Sequence, residues 1–298
     1  MEIEHLKLYL HLSESLHFGR TSRECFVSPP TLTRVVQRLE ESCGAALFIR
    51  DRRMVELTPA GREFQQFARD TLQRWEMLRE NLNTGDGVLR GEIRLFCTVT
   101  ASYTILPELL PGFREHYPEV VVRLTTGDAA EGVDRVLDGR ADVSISAMPD
   151  IIGERMVAME FLRTPLIAIA PQGRLKVSLR RLEKCDPAAW QQVSMIFPSE
   201  GLLRERVDGW LSALGLSPKV QGTVSGHEAI LSMVGLGLGI GVIPKIVLDR
   251  SLFRSRVRIL KPDKALPDFP VGFYTTKSRL KSQVVSAFWE MLAARMKR

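Results

Sequence analysis

Apolar residues recur at Leu6, Tyr9, Leu10 or Leu12, and Leu16, a spacing that predicts one amphipathic helix over Ile3–Leu16. Gly19 is expected to break it, Arg20 to Phe26 is long enough for a two-turn helix, and Val27-Ser28 makes a tight turn. In the next segment Leu32, Val35, Val36 and Leu39 fall on one helical stripe. Ser28 suits the N-cap and Pro29 the first helical position, where a missing N–H costs nothing; Gly44 is the expected stop. The opposite face carries Thr31, Thr33, Arg34, Gln37 and Arg38, groups that packing alone does not require. Two β-prone runs, Leu47–Ile49 and Met54–Leu57, flank the polar turn Asp51-Arg52-Arg53 and read as a hairpin wing. Three helices followed by a basic-tipped hairpin predict a winged helix-turn-helix whose third helix enters a major groove.

Thr58 and Pro59 then restart a helix, and Phe64, Ala68, Thr71, Trp75, Leu78 and Leu82 follow at alternating steps of four and three, widened by Phe67 and Leu72. From Thr58 to Asn83 this is a rod of roughly 40 Å, long enough to pair with a second copy. It ends in the glycine-bearing "NTGDGVLRG". Beyond Gly91 strands and helices alternate: "EIRLFCTV", a helix Tyr103–His116, "VVVRLTT", a helix Ala129–Leu137, then "ADVSIS". A second such unit spans 164–263, with strands at "PLIAIA", "VSMIFP", "VQGTV" and "GIGVIP" and helices Leu202–Leu214 and His227–Leu236. A strand "PVGFYTT" and a helix Gln283–Met296 close the chain. Two α/β lobes imply a cleft between them.

Composition narrows this little: 45% hydrophobic and 26% charged residues fit an ordinary globular chain of 298 residues. The net charge of +6 suits a polyanionic partner, yet residues 1–90 hold 13 basic and 13 acidic side chains, whereas 251–298 hold 11 and 3. The excess therefore sits away from the helix-turn-helix. Cys25, Cys43, Cys97 and Cys185 have no metal-ligand spacing and are expected to be reduced and mostly buried. The acidic start and the lack of an 18-residue apolar run predict a cytoplasmic chain with no membrane partner.

Candidate chemistry falls in two places. Ser28, Thr31, Thr33, Arg34 and Arg38 can meet base edges and phosphates of double-stranded DNA, and Arg50, Arg52 and Arg53 on the wing can reach the flanking backbone. In open α/β sheets ligands bind beyond the carboxyl ends of strands. Three such corners, "TVTASYT", "TTGDAAE" and "VSGHEAI", offer Thr100, Ser102, Thr126, Ser225 and His227 to a small anion. Ordinary helix capping explains any one of these residues; their convergence favours a ligand. An α/β-cleft enzyme acting on a small anion stays the alternative class, but no acid–base pair or nucleophile can be named. "GLGLGIG" follows a helix and enters a strand, the reverse of a dinucleotide loop, and His227-Glu228 lacks a second metal-binding histidine.

The stretch "HFGRTSRECFVSPPTLTRVVQRLEESCGAALFIRDRRMVELTPAGREF" resembles the N-terminal signature of LysR-type transcriptional regulators. "FCTVTASYTILP", "LTTGDAAEGVDRVLDGRADVSI" and "GHEAILSMVGLGLGIGVIP" are similar to the IlvY-type activators of branched-chain amino acid synthesis within that family. The resemblance implies α/β with an N-terminal all-α winged helix-turn-helix over 1–60, a linker dimerisation helix over 58–84 and a hinge at 85–91. It also implies a two-lobe effector domain like a periplasmic binding protein, with lobe I at 92–163 and 267–298 and lobe II at 164–266. Homodimers through the linker helix, a homotetramer and contact with RNA polymerase are implied too.

By the same resemblance Pro30, Thr31, Thr33 and Arg34, with Arg50 and Arg53, read DNA. Thr100, Ala101, Ser102, Thr126, the turn Ser199-Glu200-Gly201 and the neighbourhood of His227 hold the effector. The implied inducer is an acetohydroxy acid, 2-acetolactate or 2-aceto-2-hydroxybutyrate, with no cofactor and no metal. The implied target is the acetohydroxy acid isomeroreductase gene; a regulator of another operon, sensing a different small carboxylate, is the alternative. The chain departs from the family at Thr21-Ser22, where alanines are usual, at Cys25 and Cys43, where leucine is common, and at Pro29, where glutamine often contacts DNA. Pro29 has no donor to offer a base, so readout leans on the threonines and Arg34.

Overall fold

A computed structural model describes residues 2–50, 54–82, 88–173, 175 and 177–296, without the side chains of 80 and 81. It divides into two compact units, Met1–Asp86 and Gly87–Arg298. The expected wing tip at 51–53, with Arg52 and Arg53, and the segment 83–87, the end of the expected linker helix and the start of the expected hinge, lie outside the described residues.

The first unit consists of α1 (Ile3–Ser15), α2 (Phe18–Glu24), α3 (Pro29–Cys43), β1 (Phe48–Arg50), β2 (Val55–Leu57) and α4 (Pro59–Leu82). Gly19 does not break the first helix. Leu16 ends it in the left-handed conformation (φ 49°), His17 Nδ1 accepts the Arg20 N–H at 3.1 Å, and Gly19 lies inside α2. α3 is capped as expected: the Ser28 hydroxyl accepts the Thr31 N–H and Gly44 closes the helix at φ 66°. Leu32, Val35, Val36 and Leu39 are buried against Leu6, Tyr9, Leu12, Phe48 and Phe64. Tyr9 is the pivot, edge-on to Phe64 at 4.7 Å and donating its hydroxyl to the Gly61 carbonyl at 2.7 Å. A Cβ at Gly61 would lie 2.1 Å from the Leu47 carbonyl oxygen, so only glycine lets α4 approach the wing this closely.

Thr21 and Ser22 are buried as the family's alanines would be, and their hydroxyls need partners there. Thr21 finds Ser15 Oγ at 2.6 Å and His11 Nδ1 at 3.3 Å; Ser22 Oγ finds none among the described residues. Of the cysteines only Cys97 is buried, which pushes its thiol up to about 12. The expectation of mostly buried thiols therefore fails: Cys25 and Cys185 are half-buried, Cys43 is exposed at the end of α3, and all four thiols are free.

The second unit runs β3 (Gly91–Cys97), α5 (Val99–Thr104), α6 (Leu106–His116), β4 (Val120–Thr126), α7 (Gly132–Leu137), β5 (Val143–Ala147), β6 (Met156–Pro171), α8 (Leu179–Glu183), α9 (Pro187–Trp190) and β7 (Ser194–Pro198). It continues with α10 (Gly201–Ala213), β8 (Lys219–Val224), α11 (His227–Gly235), β9 (Ile240–Pro244), α12 (Lys245–Asp249), β10 (Val257–Leu260), β11 (Asp268–Thr276) and α13 (Gln283–Met296). The single helix expected over Tyr103–His116 is instead two. Thr98 caps α5 by accepting the Ala101 N–H, and a short break at Ile105 separates it from α6.

"PLIAIA" is only the second half of a 16-residue strand. The first half of β6, Met156–Pro165, pairs with β11, and the second pairs with β9 from Leu166 and with β10 from Ala168. The strand order is therefore β4-β3-β5-β11-β6-β9-β7-β8, with one strand serving two half-sheets. Parallel pairs β3·β4, β3·β5, β7·β8 and β7·β9 flank this antiparallel seam.

Asp142, directly before β5 and beside Arg94 of β3, is 1% exposed, with Oδ1 2.7 Å from Arg279 Nη2 and from Arg94 Nη2. Arg279 is equally buried, and its Nε and Nη1 find no partner among the described residues. Removing the carboxylate would leave a buried guanidinium with nothing to neutralise it. We expect Asp142→Ala to lower the stability of the full chain by about 3–5 kcal/mol, read from urea unfolding through Trp190, Trp210 and Trp289. A loss under about 1 kcal/mol would reduce the pair to the standing of a surface ion pair.

Candidate nucleic-acid interface and effector cleft

On α3 the residues Pro30, Thr31, Arg34, Gln37 and Arg38 are exposed and Thr33 half-buried. Ser28, also exposed, is spent on the cap, its hydroxyl 2.8 Å from that of Thr31. Arg34 and Arg38 make no side-chain hydrogen bond or ion pair among the described residues, which leaves two guanidinium forks open to a ligand. Arg50 is different. Its Nη2 lies 2.9 Å from Glu40 Oε2 and its guanidinium sits over Phe18 at 5.1 Å, while Glu40 Oε1 accepts the N–H groups of Leu47 and Phe48. Arg50 thus anchors the wing to α3, and its charge is already partly neutralised.

In the second unit a narrow cavity of about 20 Å³, partly open to solvent, lies where the two half-sheets meet. Thr98, Thr100, Thr104, Ser146 and His227 line it with polar groups, and Ile105, Ile246, Val247, Phe269 and Val271 with apolar ones. No lysine or arginine is among the described residues that line it. A smaller recess of about 10 Å³ adjoins it at His227 and Phe269, bounded by Asp128, Gly201 and Gly226. Contacts cross between the half-sheets here: the Thr100 hydroxyl donates to Glu228, and Asp128 Oδ2 accepts the Gly226 N–H at 2.8 Å. Gly201, at φ 79°, approaches Ala130 so closely that a Cβ would lie 2.7 Å from the Ala130 Cβ.

Residues 3–62 match the model of the bacterial regulatory helix-turn-helix proteins of the lysR family, and residues 86–297 match that of the LysR substrate binding domain. This chain belongs to the LysR family. Among curated LysR-family relatives, the HTH-type transcriptional activator IlvY of Salmonella typhimurium is 40% identical over 295 residues, 98% of this chain and 99% of that protein. The HTH-type transcriptional regulator IlvY of Escherichia coli is 39% identical over the same shares. The LysR family transcriptional regulator CbnR has the same fold at a TM-score of 0.69 and 21% identity, covering 100% of both chains. The effector binding domain of QuiR, in complex with shikimate, covers 70% of this chain and 98% of its own at a TM-score of 0.59 and 19% identity.

Within this LysR-family cleft the expected effector residues separate. Thr100, Ala101 and His227 line the cavity, and Gly201 lines the recess beside it. Ser199 and Ser225 are exposed and hydrogen-bonded to each other at 3.0 Å. Ser102 does not reach the cavity: it is one residue further around α5, donates to the Val99 carbonyl at 2.6 Å, and lines a separate groove with Leu106 and Leu110. Thr126 is exposed at the end of β4 and lines neither cavity nor recess.

Sequence reasoning missed Thr98, Asp128, Ser146, Glu228 and Phe269. Asp128 had a legible sign, because Asp128-x-x-Glu131 is a capping box and the structure forms it. Ser146, 1% exposed and with no partner for its hydroxyl among the described residues, had none.

His227 is 9% exposed and edge-on to Phe269 at 5.6 Å. Burial holds its pKa below the usual histidine range, against the opposing pull of the Glu228 and Asp128 carboxylates. A histidine whose folded pKa is depressed contributes its full stability above the unfolded value of about 6.5, and loses it as pH falls toward the folded value. In urea unfolding at pH 7.5 and 5.5, the wild-type chain should therefore lose more stability on acidification than His227→Gln. Equal losses in the two proteins would contradict this assignment.

Proposed function

We propose that this LysR-family regulator activates the acetohydroxy acid isomeroreductase gene when 2-acetolactate or 2-aceto-2-hydroxybutyrate binds the cleft. The end-to-end identity of 39–40% with IlvY proteins carries this reading. The cleft chemistry agrees with it: small branched molecules with a hydroxyl, a ketone and a methyl or ethyl group suit threonine hydroxyls facing Ile105, Ile246 and Val247. The effector carboxylate would replace Glu228 on the Thr100 hydroxyl and Asp128 on the Gly226 N–H. Binding is then paid for by two contacts between the half-sheets, so it favours a different arrangement of them. A regulator sensing another small carboxylate is the second reading, supported by the shikimate bound to QuiR.

DNA is engaged by α3, with Pro30, Thr31, Thr33, Arg34 and Arg38 toward the groove and the wing on the flanking backbone. The helix α4 is the linker and pairs two heads. Phe64 and Ala68 are buried in the first unit, whereas Trp75, Leu78 and Leu82 on the same seam are 41, 48 and 73% exposed. That apolar stripe is what a second α4 would cover. The protein works in the cytoplasm, as dimers joined into tetramers, beside RNA polymerase.

A nuclease footprint of the full chain on the region upstream of its own gene tests target and inducer together. We expect protection over at least two helical turns that changes on adding 2-acetolactate, and a Thr100→Val protein that protects the same DNA but no longer responds. Protection of a single half-site would overturn the pairing through α4, and protection indifferent to the acid would overturn the inducer. Replacing Arg34 with Ala should cost about 1–3 kcal/mol on the protected sequence and much less on random duplex. Equal losses on both would make Arg34 a phosphate contact instead.

A further inference from the structure

The turn between α2 and α3 holds a phenylalanine where the backbone favours glycine. Phe26 has φ 56°, in the left-handed region that a bulky side chain adopts only at a steric penalty. The turn closes α2 with two bonds, Phe26 N–H to the Arg23 carbonyl at 3.3 Å and Val27 N–H to the Ser22 carbonyl at 3.0 Å. This is the helix ending whose left-handed position glycine usually fills. Glycine would also release an aromatic ring from water, because Phe26 is 96% exposed. The neighbouring Val27 is tucked against the core of the unit, so the turn itself is well seated and Phe26 alone projects. Among the described residues of this unit none makes a hydrogen bond or a ring contact with the Phe26 side chain.

The position of the ring indicates its partner. Phe26 stands two residues before Ser28, the cap of α3, and directly ahead of the exposed run Pro29, Pro30 and Thr31. Arg23 before it and Arg34 after it are exposed cations. A protein partner for this face would have to displace the polar and cationic groups of α3, whereas a duplex complements them.

We propose that Phe26 is a DNA contact, packing its ring on the apolar edge of a nucleotide, a thymine methyl or a deoxyribose, where the start of α3 enters the groove. The inference rests on α3 being the DNA-reading helix. It also addresses Pro29, which offers no donor: an apolar contact one turn earlier supplies part of the readout that a hydrogen-bonding side chain would give.

The test compares full-length wild type, Phe26→Gly and Phe26→Asn on the duplex that the wild type selects from a randomised pool. Glycine and asparagine both accept the left-handed backbone, so both variants should melt at or above the wild-type temperature. Each should nevertheless bind the selected duplex about tenfold or more weakly, the equivalent of a largely buried aromatic ring. The slope of log affinity against log salt should not change, because an uncharged ring releases no counterions. Replacing the site's thymines with uracil one at a time then separates the two sources. A uracil that weakens wild type and spares Phe26→Gly marks a thymine methyl; no such position marks the sugar.

Variants that bind as tightly as wild type would overturn the proposal while leaving the role of α3 intact. A shallower salt slope would also overturn it, by showing that the basic face had been displaced. A wild type that selects no duplex would overturn both.

Discussion

The first N–H groups of every helix have no partner within that helix, and both candidate sites of this protein are arranged around that deficit. Ser28 supplies the acceptor for α3, Thr58 for α4, Thr98 for α5 and Asp128 for the turn leading into α7. At α3 the cap fixes where the helix begins, and so which residues project as Thr31, Arg34 and Arg38. At α5 it aims Thr100 and Ala101 into the cleft and leaves Ser102 outside it. Just ahead of α11 the Gly226 N–H is satisfied from the opposite half-sheet by Asp128. A local need of the backbone is met there by a long-range contact, and that contact is one of those an effector would disturb.

β6 gives this arrangement its reach. Because one uninterrupted strand changes partners between Pro165 and Leu166, the two half-sheets share a spine and are not merely two domains on a linker. Residues on β11 and α12, such as Phe269 and Ile246, come together with Thr98 and Ser146 only because of it. The buried Asp142 with Arg94 and Arg279 ties together β3, β5 and the turn before α13. Such a cluster specifies partners at a desolvation cost that apolar packing would not incur.

The helix-turn-helix unit tolerates departures by satisfying them locally. Thr21 replaces an apolar neighbour with a hydroxyl, and His11 and Ser15 meet it. Arg50 is diverted from a ligand to Glu40 and Phe18, which stiffens the wing's attachment at the expense of a free cation. Ser22 is the departure that nothing among the described residues meets, its hydroxyl buried without a partner.

Elements whose signals are local are legible in the residues alone. The Ser28-Pro29 start, the Gly44 stop and the buried stripe of α3 all follow from spacing within about one turn, and so does the cap of α4 at Thr58. Tertiary structure decided the rest. The periodicity of residues 151–171 could not show that β6 runs through both half-sheets, because its partners on β11 lie more than a hundred residues away, as with Met156 and Thr276, and leave no local trace. Ser102 and Thr126 looked equivalent to Thr100 as small polar residues near strand ends, and only the orientation of α5 and the end of β4 separated them. Asp128 and Glu228 entered the cleft because the chain folds one lobe against the other, an encounter that capping and hydrophobic period cannot encode. Local spacing fixes what a segment becomes; which side chains meet across a cleft depends on the packing of segments distant in the chain.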